Sequence, residues 1–165
     1  MNFSARCWQD RDKLSAAVDK ELIRMTATGD SPEKAIKNII NQFETSRANA
    51  TRVIMTESAF ASSKAQIDMY NELEVKKYKV ISALDKRTCD YCGDMDQKVF
   101  ERNKAQIGVN MPPFHPNCRC TTSPTNEEFK VIGERFARDV ETDKGYYVPG
   151  NMTYTEWKNT QNFEG

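Results

Sequence analysis

Apolar positions recur at helical spacing through the first 75 residues. Leu14, Val18, Leu22 and Met25 form one series, Ile36, Ile39, Ile40 and Phe43 a second, and Val53, Ile54, Ala61, Ala65 and Met69 a third. Such stripes are expected of helices that bury one face. Gly29 stands at a helix C-cap position, and Ser31-Pro32 restarts the chain with an N-cap and a first-turn proline. A break is expected near Thr45-Ser46. The reading is two or three amphipathic helices, antiparallel where the loops are short.

From residue 77 the pattern changes. Lys77 to Leu84 reads as a strand, Gln97 to Phe100 as a second, and Cys118 to Thr122 as a third. Turn formers separate them: Asp85, Gly93, Gly108, Asn110, Pro112, Pro113 and Pro116. A segment this polar needs a staple. Thr125 or Asn126 as N-cap, with Phe129, Ile132, Phe136 and Val140 as a stripe, predicts one more helix. An extended Gly145–Pro149 follows, and Thr153 and Glu156 have capping-box spacing around Tyr154 and Trp157. The expected fold class is α+β in a single domain, residues 1–165. A helical part (1–75) packs on a small stapled β unit (77–124), and a C-terminal helix with an extended aromatic tail (125–165) completes it.

Composition narrows the function classes. The 165 residues carry 24 Lys+Arg against 24 Asp+Glu, so the net charge is zero, which counts against a general nucleic-acid-binding domain. Charged residues are 29%, and the mean hydropathy of −0.75 is poor for one large core, so part of the surface is expected to meet a partner. No apolar run approaches the roughly 18 residues of a membrane span. No basic-then-apolar leader opens the chain, so no secretory signal is expected.

Four of the five cysteines crowd together with the single histidine, while Cys7 stands far upstream. Without a secretory signal this reads as a metal site sooner than a disulfide framework. Cys89-x-x-Cys92 aims two thiolates at one ion, and His115-x-x-Cys118, separated from it by 22 intervening residues, has the same gap and can close a tetrahedron. Cys120 offers an alternative. Residues two apart in a strand face one side, so Cys118 and Cys120 can both approach the ion and leave His115 out. Both sets give four ligands, and zinc is the metal that suits them. A catalytic metal would need an open position and a nearby base. The zinc-deaminase order of motifs is absent, so no catalytic residue is assigned. The remaining reading is reduced or adventitiously paired thiols.

The run Ala83-Leu84-Asp85-Lys86-Arg87-Thr88-Cys89-Asp90-Tyr91-Cys92, then Asp96-Gln97-Lys98-Val99-Phe100, then Pro112-Pro113-Phe114-His115-Pro116-Asn117-Cys118-Arg119-Cys120-Thr121 resembles the C-terminal domain of phage minor head proteins, the head-morphogenesis proteins similar to phage Mu protein F. Arg52-Val53-Ile54-Met55-Thr56-Glu57 is similar to the family's Arg-x-x-x-Thr-Glu segment, and Val148 to Trp157 resembles endings of its minor capsid branch. Met95-Asp96-Gln97 departs from the family's Leu-Asp-Gly. Some relatives keep Cys-Arg-Cys without the Cys-x-x-Cys, which adds weight to Cys118 and Cys120. Members are commonly longer, so a C-terminal domain or a short relative is expected.

The resemblance implies a structural, non-enzymatic virion protein from a phage or prophage. It would act inside the head or in the host cytoplasm during assembly. It would assist capsid assembly or genome delivery beside the portal, with portal or major capsid protein as partners and packaged DNA as a further candidate. No membrane and no small-molecule substrate is expected. The alternatives are a zinc-stapled nucleic-acid-binding module, whose binding would be salt-sensitive, and a metal-dependent hydrolase or toxin-associated module. Arg52, Thr56 and Glu57 are expected to be a polar anchor for the β unit through Asp85 or Arg87. Asp85, Arg87 and Thr88 would present the first knuckle through an ion pair and an Asx-type turn. Arg119 would neutralise a thiolate-rich site.

Overall fold

The computed structural model describes residues 3–125 and 133–161. It separates into two compact units, Met1–Ala61 and Ser62–Gly165.

The first unit is helical. Helix α1 spans Phe3–Thr28 and α2 spans Pro32–Phe43, while α3, Arg47–Glu72, begins here and runs on into the second unit. The punctuation is as expected. Gly29 takes a left-handed φ of 69° and its N–H reaches Met25 O at 2.9 Å, a geometry that glycine adopts without steric cost. Ser31 is extended at the N-cap, with Pro32 as first helical residue. Glu44, also left-handed, ends α2 before the break at Thr45-Ser46. Val18 of α1, Ile36 and Ile39 of α2, and Ala50 and Ile54 of α3 make the core. Each buried Ile or Val stabilises by about 1.5–3 kcal/mol relative to its exposed state.

The second unit holds two small antiparallel sheets. Strand β1 (Lys77–Ile81) lies between β2 (Val99–Glu101) and β3 (Thr121–Thr125), in the order β2-β1-β3. Tyr78 faces Phe100 on one side and Pro124 on the other. Beneath this sheet Tyr70 of α3 stacks on Tyr78 with ring centroids 6.1 Å apart, and Met111 fills the remaining space. A six-residue helix α4 (Asp90–Met95) lies between β1 and β2, and a 3-10 turn covers Arg102–Lys104.

The second sheet is the hairpin β4 (Glu134–Arg138) with β5 (Gly145–Pro149). Leu84 joins it through a bridge to Ala137. Helix α5 (Tyr154–Asn159) begins with a complete capping box between Thr153 and Glu156, the pair identified from spacing. Leu84, Ala137, Val148, Tyr154 and Trp157 form a second core.

The helix expected from residue 125 does not extend through Phe136. Thr125 ends β3, and Glu134–Arg138, including Phe136, is a strand; Asn126, Phe129 and Ile132 lie outside the described residues. The physical reason is alternation. Arg135 and Ala137 point inward, whereas Phe136 is exposed and packs edge-on against Tyr147 at 5.8 Å. The spacing from Phe136 to Val140 matches a helical period, but Val140 lies beyond β4 and only fringes the second core. The first β strand is also shorter than expected, and the third begins three residues later, because Cys118 to Cys120 remain irregular after a turn in which Cys118 N–H reaches His115 O at 3.1 Å.

Candidate metal centre

Two loops of the second unit bring the cysteines and the histidine together. In the first, Cys89 is the extended N-cap of α4, and its sulfur accepts the Cys92 amide at 3.4 Å. Gly93 N–H reaches Cys89 O at 2.9 Å. The knuckle is therefore one short helical turn with both sulfurs on the same side. The second loop delivers His115, Cys118 and Cys120.

His115 Nε2 lies 3.3 Å from Cys89 Sγ and 3.1 Å from Cys92 Sγ, and Cys92 Sγ lies 3.8 Å from Cys118 Sγ. The donor atoms fall into two triads that share Cys92: Cys89, Cys92 and His115, and Cys92, Cys118 and Cys120. Within each triad all atoms lie within 4.8 Å of one another. Cys89 is exposed, Cys92 and Cys118 are buried, and Cys120 is intermediate.

These donors fit zinc. Bonds of about 2.3 Å to sulfur and 2.0–2.1 Å to nitrogen put tetrahedral edges at about 3.8 Å between thiolates and about 3.5 Å between thiolate and imidazole. The 3.8 Å between Cys92 and Cys118 matches the first, and the 3.3 and 3.1 Å from His115 to Cys89 and Cys92 are somewhat shorter than the second. His115 Nδ1 lies 2.8 Å from Pro116 O. A carbonyl only accepts, so Nδ1 carries the hydrogen, and the lone pair of neutral imidazole sits on Nε2, which faces the sulfurs.

The electrostatics describe a cluster that cannot ionise fully by itself. Burial pushes the Cys92 thiol up to about 12. The hydrogen bond with Cys120, against the opposing effect of burial, pulls Cys118 down to about 5. The same hydrogen bond, with burial, pushes Cys120 upward. At Cys89 burial acts upward, but the Cys92 amide and His115 leave it lowered. His115 is raised, chiefly by its bond to Pro116 O. A divalent cation reverses this balance by stabilising every thiolate it touches.

Supporting residues surround the cluster. Asp85 Oδ1 accepts the Arg87 amide at 2.9 Å, an Asx-type turn, and both Asp85 oxygens receive the Arg119 guanidinium. That pairing, with the Arg87 amide, holds the buried Asp85 down at about 2 despite the opposing effect of burial. Arg87 itself is a looser partner at 3.5 Å. Arg52, Thr56 and Glu57 belong to α3 in the first unit. Arg52 and Glu57 are exposed, and Thr56 Oγ1 donates to Arg52 O at 2.6 Å. A small open cleft beside the cluster is lined in part by Arg87, Cys89, His115 and Arg119.

Sequence reasoning gave no role to three residues that organise this region. Asp96, whose side chain is fully buried, accepts Ser82 N–H at 2.7 Å, Tyr154 N–H at 2.8 Å and Arg135 at 2.8 and 3.1 Å. Arg135 also donates to Met152 O and Ser82 O. Ser82 Oγ donates to Cys92 O at 2.5 Å and lies 3.3 Å from Cys120 Sγ. The family's Leu-Asp-Gly pattern was the available signal for Asp96. At the glycine position Gln97 takes a φ of 61°, and its side chain accepts from Lys79 at 2.9 Å.

Comparison with known proteins gives the family of this chain. The family model described as Phage Mu protein F like protein matches residues 16–123, and the chain belongs to that family of phage head-related structural proteins. No curated protein and no solved structure matches it. Among the described residues no helix is long and apolar enough to cross a membrane.

Proposed function

We propose that this chain is a structural minor head module of a phage or prophage, and that its cysteine–histidine cluster holds one structural zinc. The observation that supports this best is the convergence of donors from loops 26 residues apart. Cys89, Cys92 and His115 supply three ligands, and Cys118, which lies in the second triad with Cys92 and Cys120, closes onto the ion as the fourth when zinc binds. Ser82 has one hydroxyl hydrogen and gives it to Cys92 O, so toward Cys120 it acts as acceptor and Cys120 keeps its S–H. Four protein donors leave no open coordination position, as in structural zinc sites. Zinc then fixes the two loops, and the Asp85–Arg119 pair braces them from outside. Arg52, Thr56 and Glu57 contribute polar support to the module.

The module acts in the virion, or in the host cytoplasm during assembly, and its partners are portal or major capsid protein. The test is to purify heads from the parent phage and from one in which the gene is deleted. The chain should be present in parental heads, tagged chain should retain portal or major capsid protein, and the deletion should yield defective heads or failed genome delivery. A chain absent from heads, with normal infectious particles formed without it, would overturn the proposal.

A further inference from the structure

Helix α5 rests on the turn that carries the first two proposed ligands. Tyr154 Oη donates to Thr88 O at 3.1 Å, Tyr154 N–H to Asp96 Oδ2 at 2.8 Å, and Lys158 Nζ to Asp90 Oδ1 at 3.1 Å. A Cβ at Gly93 would lie 2.3 Å from Tyr154 Cδ1, so the ring lies directly on the α4 backbone. The four residues touched, Thr88, Asp90, Gly93 and Asp96, bracket Cys89 and Cys92. At six residues each, α4 and α5 are too short to persist as isolated helices. What keeps the path from 88 to 96 in place also keeps the Tyr154 end of the tail in place. The far end is tied separately, by Trp157 Nε1 donating to Tyr146 Oη at 2.8 Å.

Resting on the metal-site reading above, we infer that metal occupancy controls the docking of residues 150–161. Zinc on Cys89 and Cys92 holds the α4 turn as the platform for Tyr154; loss of zinc loosens the platform and exposes the Tyr154 end of the tail. Coupling is reciprocal, so the docked tail in turn strengthens zinc binding. The tail becomes a surface element whose availability to another protein depends on the metal.

Hydrogen–deuterium exchange of the full chain, zinc-loaded and after chelation, tests this. The expected result is faster exchange on chelation in both 88–96 and 150–161. Faster exchange in 88–96 with 150–161 unchanged would overturn the coupling while leaving the zinc site intact. A chain that never binds zinc would overturn the metal reading and this inference with it. Should chelation unfold the whole second unit, the reverse arm decides. Tyr154→Phe removes one hydrogen bond to Thr88 O and is expected to weaken zinc binding about fivefold at unchanged stoichiometry. Parental affinity in that variant would overturn the inference.

Discussion

Replacing Asp96 by alanine should be among the most damaging single changes in the second unit. Its carboxylate is fully buried and accepts from two backbone amides, Ser82 and Tyr154, and from both terminal nitrogens of Arg135, which is itself only 10% exposed. These contacts tie the end of β1, strand β4 and the first turn of α5 to one side chain. Without it, Arg135 keeps only the Ser82 and Met152 carbonyls, and two amides lose their acceptor. Breaking a buried ion pair from one side costs about 3–5 kcal/mol. Against a typical domain stability of about 5–15 kcal/mol, that is a large share. Denaturant unfolding followed by circular dichroism gives the difference by linear extrapolation. A double-mutant cycle sharpens it. Asp96→Ala with Arg135→Ala should lose less than the sum of the single losses, because the second change removes the stranded charge. A loss below about 1 kcal/mol for Asp96→Ala, or strict additivity in the cycle, would refute the buried-hub argument.

Other predictions concern neighbouring residues. Asp85 is held at about 2 against an ordinary 3.8, so its contribution is complete above pH 4 and fades as the pH falls from about 4 to 2. With the solvent screening at Arg119 taken into account, it is worth about 1–2 kcal/mol. Melting temperature against pH should fall less steeply through that window in Asp85→Asn than in the parent; parallel curves would contradict the assignment. At Gln97, with φ 61°, the glycine and alanine variants both lose the side-chain bonds, so their difference isolates the backbone. Gln97→Gly should be more stable than Gln97→Ala by about 1 kcal/mol in denaturant unfolding, and equal stability would contradict this. Gly93→Ala drives a methyl group into the Tyr154 ring and should cost about 1–3 kcal/mol by thermal melting. A parental melting temperature would show that the ring can move aside.

The local punctuation of the chain was legible because its causes are local. Gly29, Ser31-Pro32 and the Thr153–Glu156 box each act within one turn, so residue type and spacing suffice. The clustering of the cysteines and the histidine was legible for the same reason, since Cys89-x-x-Cys92 and His115-x-x-Cys118 are patterns of spacing. The strand β4 was not. Its identity depends on pairing with β5 and on Arg135 finding Asp96, 39 positions away, and four apolar residues at helical intervals outweighed that in the sequence. Asp96 itself looks like one acidic turn residue among many; the family's Leu-Asp-Gly pattern marks the position, but its role follows only from the burial that assembles around it. The convergence of Cys118 and Cys120 was expected from strand geometry, yet the structure achieves it in an irregular segment, through the turn at His115.

On the proposed function, a metal staples the second unit. Elemental analysis of the chain purified without chelator, with thermal melting before and after metal removal, tests it most directly. Metal binding to such a site is folding free energy, so the account predicts one zinc per chain and a large fall in melting temperature on chelation, with Cys92→Ser losing both the zinc and the stability. A chain with no bound metal that melts identically with and without chelator would contradict it.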